Sequence, residues 1–111
     1  MAAIAYDDFA KVEIRVGRIV QVDDFPKARK PAYQLRIDFG ELGVKSSSAQ
    51  ITKYYDKSDL GGKLVLAVVN FPPRQIANFF SEVLTLGVVL GDGDIVLVHP
   101  EREVPLGSRI G

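Results

Sequence analysis

An all-β barrel is the fold class the sequence predicts, and three observations predict it. Apolar and polar residues alternate over short runs, Gly and Pro clusters separate those runs at regular spacing, and the first run is long and interrupted by a glycine. Short strands with turn signals between them read as a sandwich or barrel rather than as βαβ units.

The stretch "YDDFAKVEIRVGRIVQVDDF" opens with a one-turn helix expected to be capped by Asp7 or Asp8, whose carboxylate accepts an orphan backbone N–H. A long strand follows, with Val12, Ile14 and Val16 on one face. Gly17 interrupts it and Ile19–Val20 breaks its parity, the signature of a bulge that lets one strand serve two sides of a small barrel. "PKARKP" is a cationic turn. "YQLRIDFG" alternates cleanly, placing Tyr33, Leu35, Ile37 and Phe39 on one face. "GVKSSSAQI" is a third strand, and "TKYYDKSDLGGK" a short helical connector. "KLVLAVVN" is almost wholly apolar and so expected to be central, covered on both faces. "SEVLTLGVVL" and "DIVLVHP" are two more strands joined around "GDGD", whose glycines supply the positive φ of a tight hairpin. "EREVPLGSRIG" is an extended tail. Three strands, a helical connector, then further strands, with a bulged first strand, is the order of the five-stranded Greek-key barrel known as the OB-fold. Nothing divides the chain, so residues 1–111 read as one domain.

Composition removes several classes of function. There is no cysteine and one histidine, His99, so neither a thiolate metal site nor a disulfide framework exists, and zinc lacks a ligand set. No serine sits in a Gly-x-Ser-x-Gly elbow to use His99. "ELGVKSSS" lacks phosphate-loop spacing and "GDGD" is too short for a calcium loop. The expectation is a protein that is not an enzyme and needs no metal or cofactor. "MAAIAYDDFAKVEIRV" has neither the basic start nor the apolar run of a secretory leader, and no run approaches the ~18 residues of a membrane span. A cytoplasmic location without membrane insertion is expected.

The 14 basic and 14 acidic residues balance but are segregated. Between positions 26 and 55, Lys27, Arg29, Lys30, Arg36, Lys45 and Lys53 face only Asp38 and Glu41. Between Lys63 and Arg102 the sole cation is Arg74. A field of this kind suits an anionic partner better than the zero total suggests.

The stretch from 68 to 87, "VVNFPPRQIANFFSEVLTLG", holds three of the six phenylalanines beside two prolines. Phe25, Phe71 and one of Phe79 and Phe80 are expected in turns beyond the reach of the core, since adjacent residues of a strand cannot both point inward. Pro72–Pro73 would stiffen the loop and lower the entropy cost of holding a ligand.

Four segments, "FAKVEIRVGRIV", "SSSAQITKYY", "LGGKLVLAVVNFPPRQIANFFSEVL" and "VPLGSRIG", are spread from near the start of the chain to its end. Through them the sequence resembles the CsaA branch of the tRNA-binding-domain family, export-related chaperones. The resemblance implies an OB-fold, a homodimer formed through terminal extensions, and ATP-independent binding of unfolded or presecretory polypeptides that assists export. The export machinery and tRNA are further partners it implies. Relatives that bind tRNA carry "HPNADKL" where this chain has "FPKARKPAYQL", and "SEGM" where it has "SEVL". Phe80 stands where CsaA-like sequences carry a basic residue, which favours an apolar ligand site. The candidate polypeptide site is therefore Phe25, Asn70, Phe71, Arg74, Phe79, Phe80 and Ser81, with a polar or nucleic-acid-binding rim of Lys27, Arg29, Lys30, Lys45, Ser47, Ser48, Gln50 and Lys53. The "PEREVPLGSRIG" tail and the N-terminal turn are the expected dimer contacts. The alternative function is tRNA or single-stranded nucleic-acid binding on the basic stretch.

Overall fold

A computed structural model describes all residues, 1–111. Helix α1 (Tyr6–Ala10) leads into β1 (Ile14–Asp24), followed by β2 (Tyr33–Asp38), a 3₁₀ turn at Gly40–Leu42 and β3 (Val44–Ala49). Helix α2 (Lys57–Leu60) and β4 (Leu64–Val68) come next. The chain ends with β5 (Arg74–Ile76), β6 (Phe79–Ser81), β7 (Leu84–Thr85), β8 (Gly87–Val89) and β9 (Ile95–Leu97). The main sheet has the order β3-β2-β1-β4-β7, all antiparallel, and curls into a nearly closed five-stranded barrel. The fold class is the one the sequence predicts.

Strand β1 serves both sides, as its length required. Residues 14–18 pair with β4, and residues 18–24 pair with β2. The bulge falls at Val20, between the Ile19–Ile37 and Gln21–Arg36 pairs, and not at Gly17. An extra residue resets the alternation, so Ile19 is buried, Val20 is exposed, and Val22 packs on the core. Gly17 has another task. A Cβ there would lie 2.4 Å from Ile37 Cγ2 and 2.7 Å from the Phe39 ring, so these two core side chains pack directly over Gly17 and leave no room for one of its own. Val16 is buried outside the main cluster, which is built instead from Ile19, Tyr33, Leu35, Ile37, Phe39 and their partners on β3 and β4. Leu60 of α2 is fully buried in the same cluster.

Several local expectations are corrected. Asp8, one of the two caps expected, does cap helix α1, but from its first turn: the helix starts after Ala5, and the Asp8 carboxylate accepts the Ala5 N–H at 3.1 Å. The "SEVLTLGVVL" run is not one strand. It is broken into the end of β6, then β7, then β8. The stretch expected to be turn contains an additional hairpin, β5–β6. The "GDGD" hairpin is as expected: Gly93 takes φ +88°, its N–H reaches the Leu90 carbonyl, and Leu90 N–H reaches the Asp94 carbonyl. The C-terminal tail is committed to its own barrel. Val16 N–H donates to the Ser108 carbonyl at 2.9 Å, Gly107 N–H to Val16 at 2.8 Å, and Ile110 N–H to Ile14 at 2.9 Å. No helix is long and apolar enough to cross a membrane.

Candidate functional site

The β5–β6 hairpin organises the surface. Its register sets Arg74 opposite Ser81 and Ile76 opposite Phe79 on one face, with Gln75 opposite Phe80 on the other. The two-residue connection places Ala77 at φ 53°, a left-handed conformation that favours glycine. Behind the hairpin the open edge of β3 is closed without a regular ladder. Glu82 N–H and Val83 N–H both donate to the Ser46 carbonyl, at 2.9 and 3.2 Å. Ser46 N–H and hydroxyl donate to Glu82 Oε1 at 3.0 and 2.9 Å, the hydroxyl also lying 2.7 Å from the Phe80 carbonyl. Ser48 N–H donates to Ser81 Oγ at 3.0 Å. The Ser46 backbone N–H holds the Glu82 carboxyl below its ordinary value, aided by the Ser46 hydroxyl and the charges of Lys45 and Arg36, with partial burial opposing.

Two adjoining cavities lie on one side of this hairpin. The first, about 410 Å³, is walled by Phe71, Pro72, Ile76, Val83 and Leu84. The second, about 440 Å³, runs on past Ile51, Ile76, Leu84, Val89, Ile95 and Leu97. Ser48, Arg74, Ile76 and Leu84 line both, so the two form one groove. Phe71 and Leu84 leave 53% and 49% of their surface in water, and Val89 72%. Apolar side chains this exposed around a shared concavity are not core, and they make the groove the candidate binding surface. Another cavity, about 390 Å³, is polar: Arg36, Asp23 and Glu82 are its charged residues, with Gln21, Asn78 and the 56%-exposed ring of Phe80 beside them.

The sequence candidates divide accordingly. Phe71, Arg74, Ser48, Ser81 and Gln50 line the apolar groove. Phe80 belongs to the polar cavity, on the hairpin's opposite face. Phe25 is not exposed: it is 5% accessible and packs its ring 5.4 Å from that of Phe79, which is half-buried as a result. The pair pins the cationic turn to β6, so Lys27, Arg29 and Lys30 stay exposed beside it. Asn70 is a structural clamp, its Oδ1 accepting Glu13 N–H at 3.0 Å and its Nδ2 donating to the Lys11 carbonyl at 2.7 Å. Ser47 is fully buried and accepts the Thr85 hydroxyl at 2.8 Å, so it cannot form a rim. Lys53 is neutralised, 2.9 Å from both Asp92 and Asp94, while half-buried Lys45 makes no ion pair. Glu82, Ile76, Leu84 and Val89 were not singled out from sequence. The broken parity of "SEVLTLGVVL", which leaves Leu84 outward and Val83 inward, carried that information. His99 is exposed, its Nδ1 2.7 Å from the Pro100 carbonyl. No cluster of three His, Cys, Asp or Glu residues is placed to hold a metal ion.

A five-stranded antiparallel barrel of this topology, with a hairpin against one edge, is an OB-type domain, and the family model described as "Putative tRNA binding domain" matches it over residues 14–109. The chain belongs to that tRNA-binding-domain family. Among curated proteins, methionine–tRNA ligase of Thermococcus onnurineus is 36% identical over 107 residues, 96% of this chain but 14% of that enzyme. Methionine–tRNA ligase of Bacteroides fragilis is 37% identical over 109 residues, 98% of this chain and 16% of the enzyme. The chain thus spans only a small part of these relatives' length. Among solved structures, chaperone CsaA from Bacillus anthracis is 50% identical with a TM-score of 0.95, over 99% of this chain and 100% of that one. The CsaA chaperone protein from Picrophilus torridus is 55% identical with a TM-score of 0.91, over 98% and 100%. The similarity to CsaA proteins read from the sequence is confirmed across the whole fold.

Proposed function

We propose that this chain is an ATP-independent chaperone of the cytoplasm that holds unfolded or presecretory polypeptide in the groove between Phe71 and Val89, acts as a homodimer, and assists protein export. The observation that carries the reading is the groove itself, in which Phe71, Leu84 and Val89 stay exposed around connected cavities. The CsaA chaperones with matching folds support it. Fully burying a phenylalanine is worth roughly 1.5–3 kcal/mol, and Phe71 has about half its surface left to bury. A few such contacts give an affinity that holds a client and releases it. The exposed side chains of Ile4 and Tyr6 offer apolar surface for a second copy, and two weak grooves on one rigid body gain avidity for a long client.

A second reading, tRNA or single-stranded nucleic-acid binding, is favoured by a separate observation. The open ring of Phe80 borders Arg36, and the unpaired cations of the 26–31 turn lie beyond Phe79. Aromatic stacking next to cations suits a nucleic-acid strand.

Because Phe71 lines the apolar groove and Phe80 the separate polar cavity, one pair of variants separates the readings. Phe71→Ala is expected to lose suppression of client aggregation and to retain any tRNA affinity. Phe80→Ala is expected to do the reverse. A Phe71→Ala protein that stays folded and protects a denatured client as well as the parent ends the chaperone reading. A binding constant for tRNA that does not fall with salt ends the second. Sedimentation showing only monomer at micromolar concentration ends the dimer.

A further inference from the structure

We infer that the groove selects extended segments in which a carboxylate side chain lies between apolar ones, with Arg74 as the specificity-determining residue; this rests on the polypeptide-binding reading above. Arg74 lines both cavities, is exposed, and takes part in no ion pair. It is the only charged residue of the larger cavity, whose other walls are apolar or neutral. In the smaller cavity the one acid is Glu82, and its carboxylate is turned onto Ser46 rather than onto the guanidinium. The groove therefore presents an unmatched cation among apolar side chains.

That arrangement discriminates by charge. An extended chain sets alternate side chains on one face, about 7 Å apart. An Asp or Glu with apolar residues two positions to either side presents all three to the groove together. The carboxylate meets the guanidinium in the two-pronged geometry that Arg favours, while its neighbours enter the walls formed by Phe71, Leu84 and Val89. A Lys at the same position brings like charges together in a partly desolvated site. Clients rich in apolar residues alone are held more weakly than those with an interspersed acid.

The test uses three short labelled peptides, identical except for a central Glu, Gln or Lys flanked at alternate positions by Leu, titrated by fluorescence anisotropy. The Glu peptide is expected to bind about tenfold more tightly than the Lys peptide, with Gln between them and the gap narrowing in high salt. Arg74→Glu is expected to reverse the order, and Arg74→Gln to erase it. Circular dichroism confirms that both variants are folded, as expected for an exposed side chain without a bonded partner. Equal affinity for the Glu and Lys peptides, or an order unchanged in Arg74→Glu, overturns the inference and leaves the groove intact as a general apolar site. No binding of any of the three overturns the inference together with the polypeptide reading beneath it.

Discussion

Glu82 and Ser46 exchange hydrogen bonds in both directions: the Glu82 carboxylate accepts the Ser46 N–H at 3.0 Å and its hydroxyl at 2.9 Å, while Glu82 N–H returns to the Ser46 carbonyl at 2.9 Å. This exchange stands where a regular ladder between β3 and the strand closing the barrel would otherwise be. It also fixes the hairpin that divides the apolar groove from the polar cavity.

The first prediction follows from that bond. The carboxyl of Glu82 is held below its ordinary value, chiefly by the Ser46 N–H. A group whose folded pKa is depressed stabilises the fold fully above its unfolded value, about 4.3 for glutamate, and loses that contribution as pH falls through the folded value. Glu82→Ala, which leaves the Ser46 N–H without its acceptor, is expected to cost ~1–3 kcal/mol near neutrality. Urea unfolding of parent and variant should show this difference shrinking as the solution is acidified below about pH 4. A difference constant with pH would mean that the charge plays no part.

Two glycines are expected to respond to alanine with opposite signs. Gly17→Ala drives a Cβ to 2.4 Å from Ile37 Cγ2 and 2.7 Å from the Phe39 ring, both fully buried groups with no room to retreat. Overpacking of this kind costs ~1–3 kcal/mol. Gly61 has nothing within 4 Å of the added carbon and an ordinary φ of −58°. Gly61→Ala is expected to stabilise by ~0.4–1 kcal/mol through the unfolded chain. Chemical denaturation of the two variants measures both, and a Gly17→Ala as stable as the parent would refute the packing of Ile37 and Phe39 over Gly17.

How far the sequence foretells this molecule depends on whether the deciding partner is near in the chain. Tyr33, Leu35 and Ile37 alternate, and β2 buries them as read, because period two is a local property. The break at Ile19–Val20 was visible in the same way, although the neighbouring glycine drew the bulge three residues too early. Phe25 and Phe71 look alike in sequence, each beside a proline. Only the Phe79 ring, far along the chain, covers one and leaves the other open. Lys53 read as a free rim cation until Asp92 and Asp94 came across from the β8–β9 turn. Long-range pairing of this sort leaves no periodic trace, so which of the phenylalanines and cations stay open to water was not legible.

The turn at Ala77 gives a third prediction. A non-glycine residue at φ 53° suffers steric strain of roughly 1–2 kcal/mol. Glycine relieves it at the expense of a more flexible unfolded chain, so Ala77→Gly is expected to raise stability by a net ~0.5–1 kcal/mol. Groove and polar cavity should keep their affinities, since the Arg74–Ser81 and Ile76–Phe79 pairs are unchanged. Thermal unfolding and peptide titration on one preparation test both halves, and a lowered melting temperature would show that the conformation is unstrained.

Asn70 separates a contact residue from a clamp. Its amide joins the Glu13 N–H and the Lys11 carbonyl, two backbone groups between α1 and β1 that lie 57 and 59 positions away. Leu is close to Asn in length but offers neither donor nor acceptor. Asn70→Leu therefore frees both groups, and because they are solvent-accessible the loss is expected to be modest, ~1 kcal/mol. The effect should be local. Hydrogen exchange should quicken at Glu13, whose amide loses its acceptor, while Leu35 and Ile37 in the barrel stay protected. Client binding per folded molecule should be unchanged, because Asn70 lines neither cavity of the groove. If Asn70→Leu instead abolishes peptide binding without altering exchange at Glu13, then the side chain swings away from its clamp to meet the client, and the groove extends along the loop as far as α1.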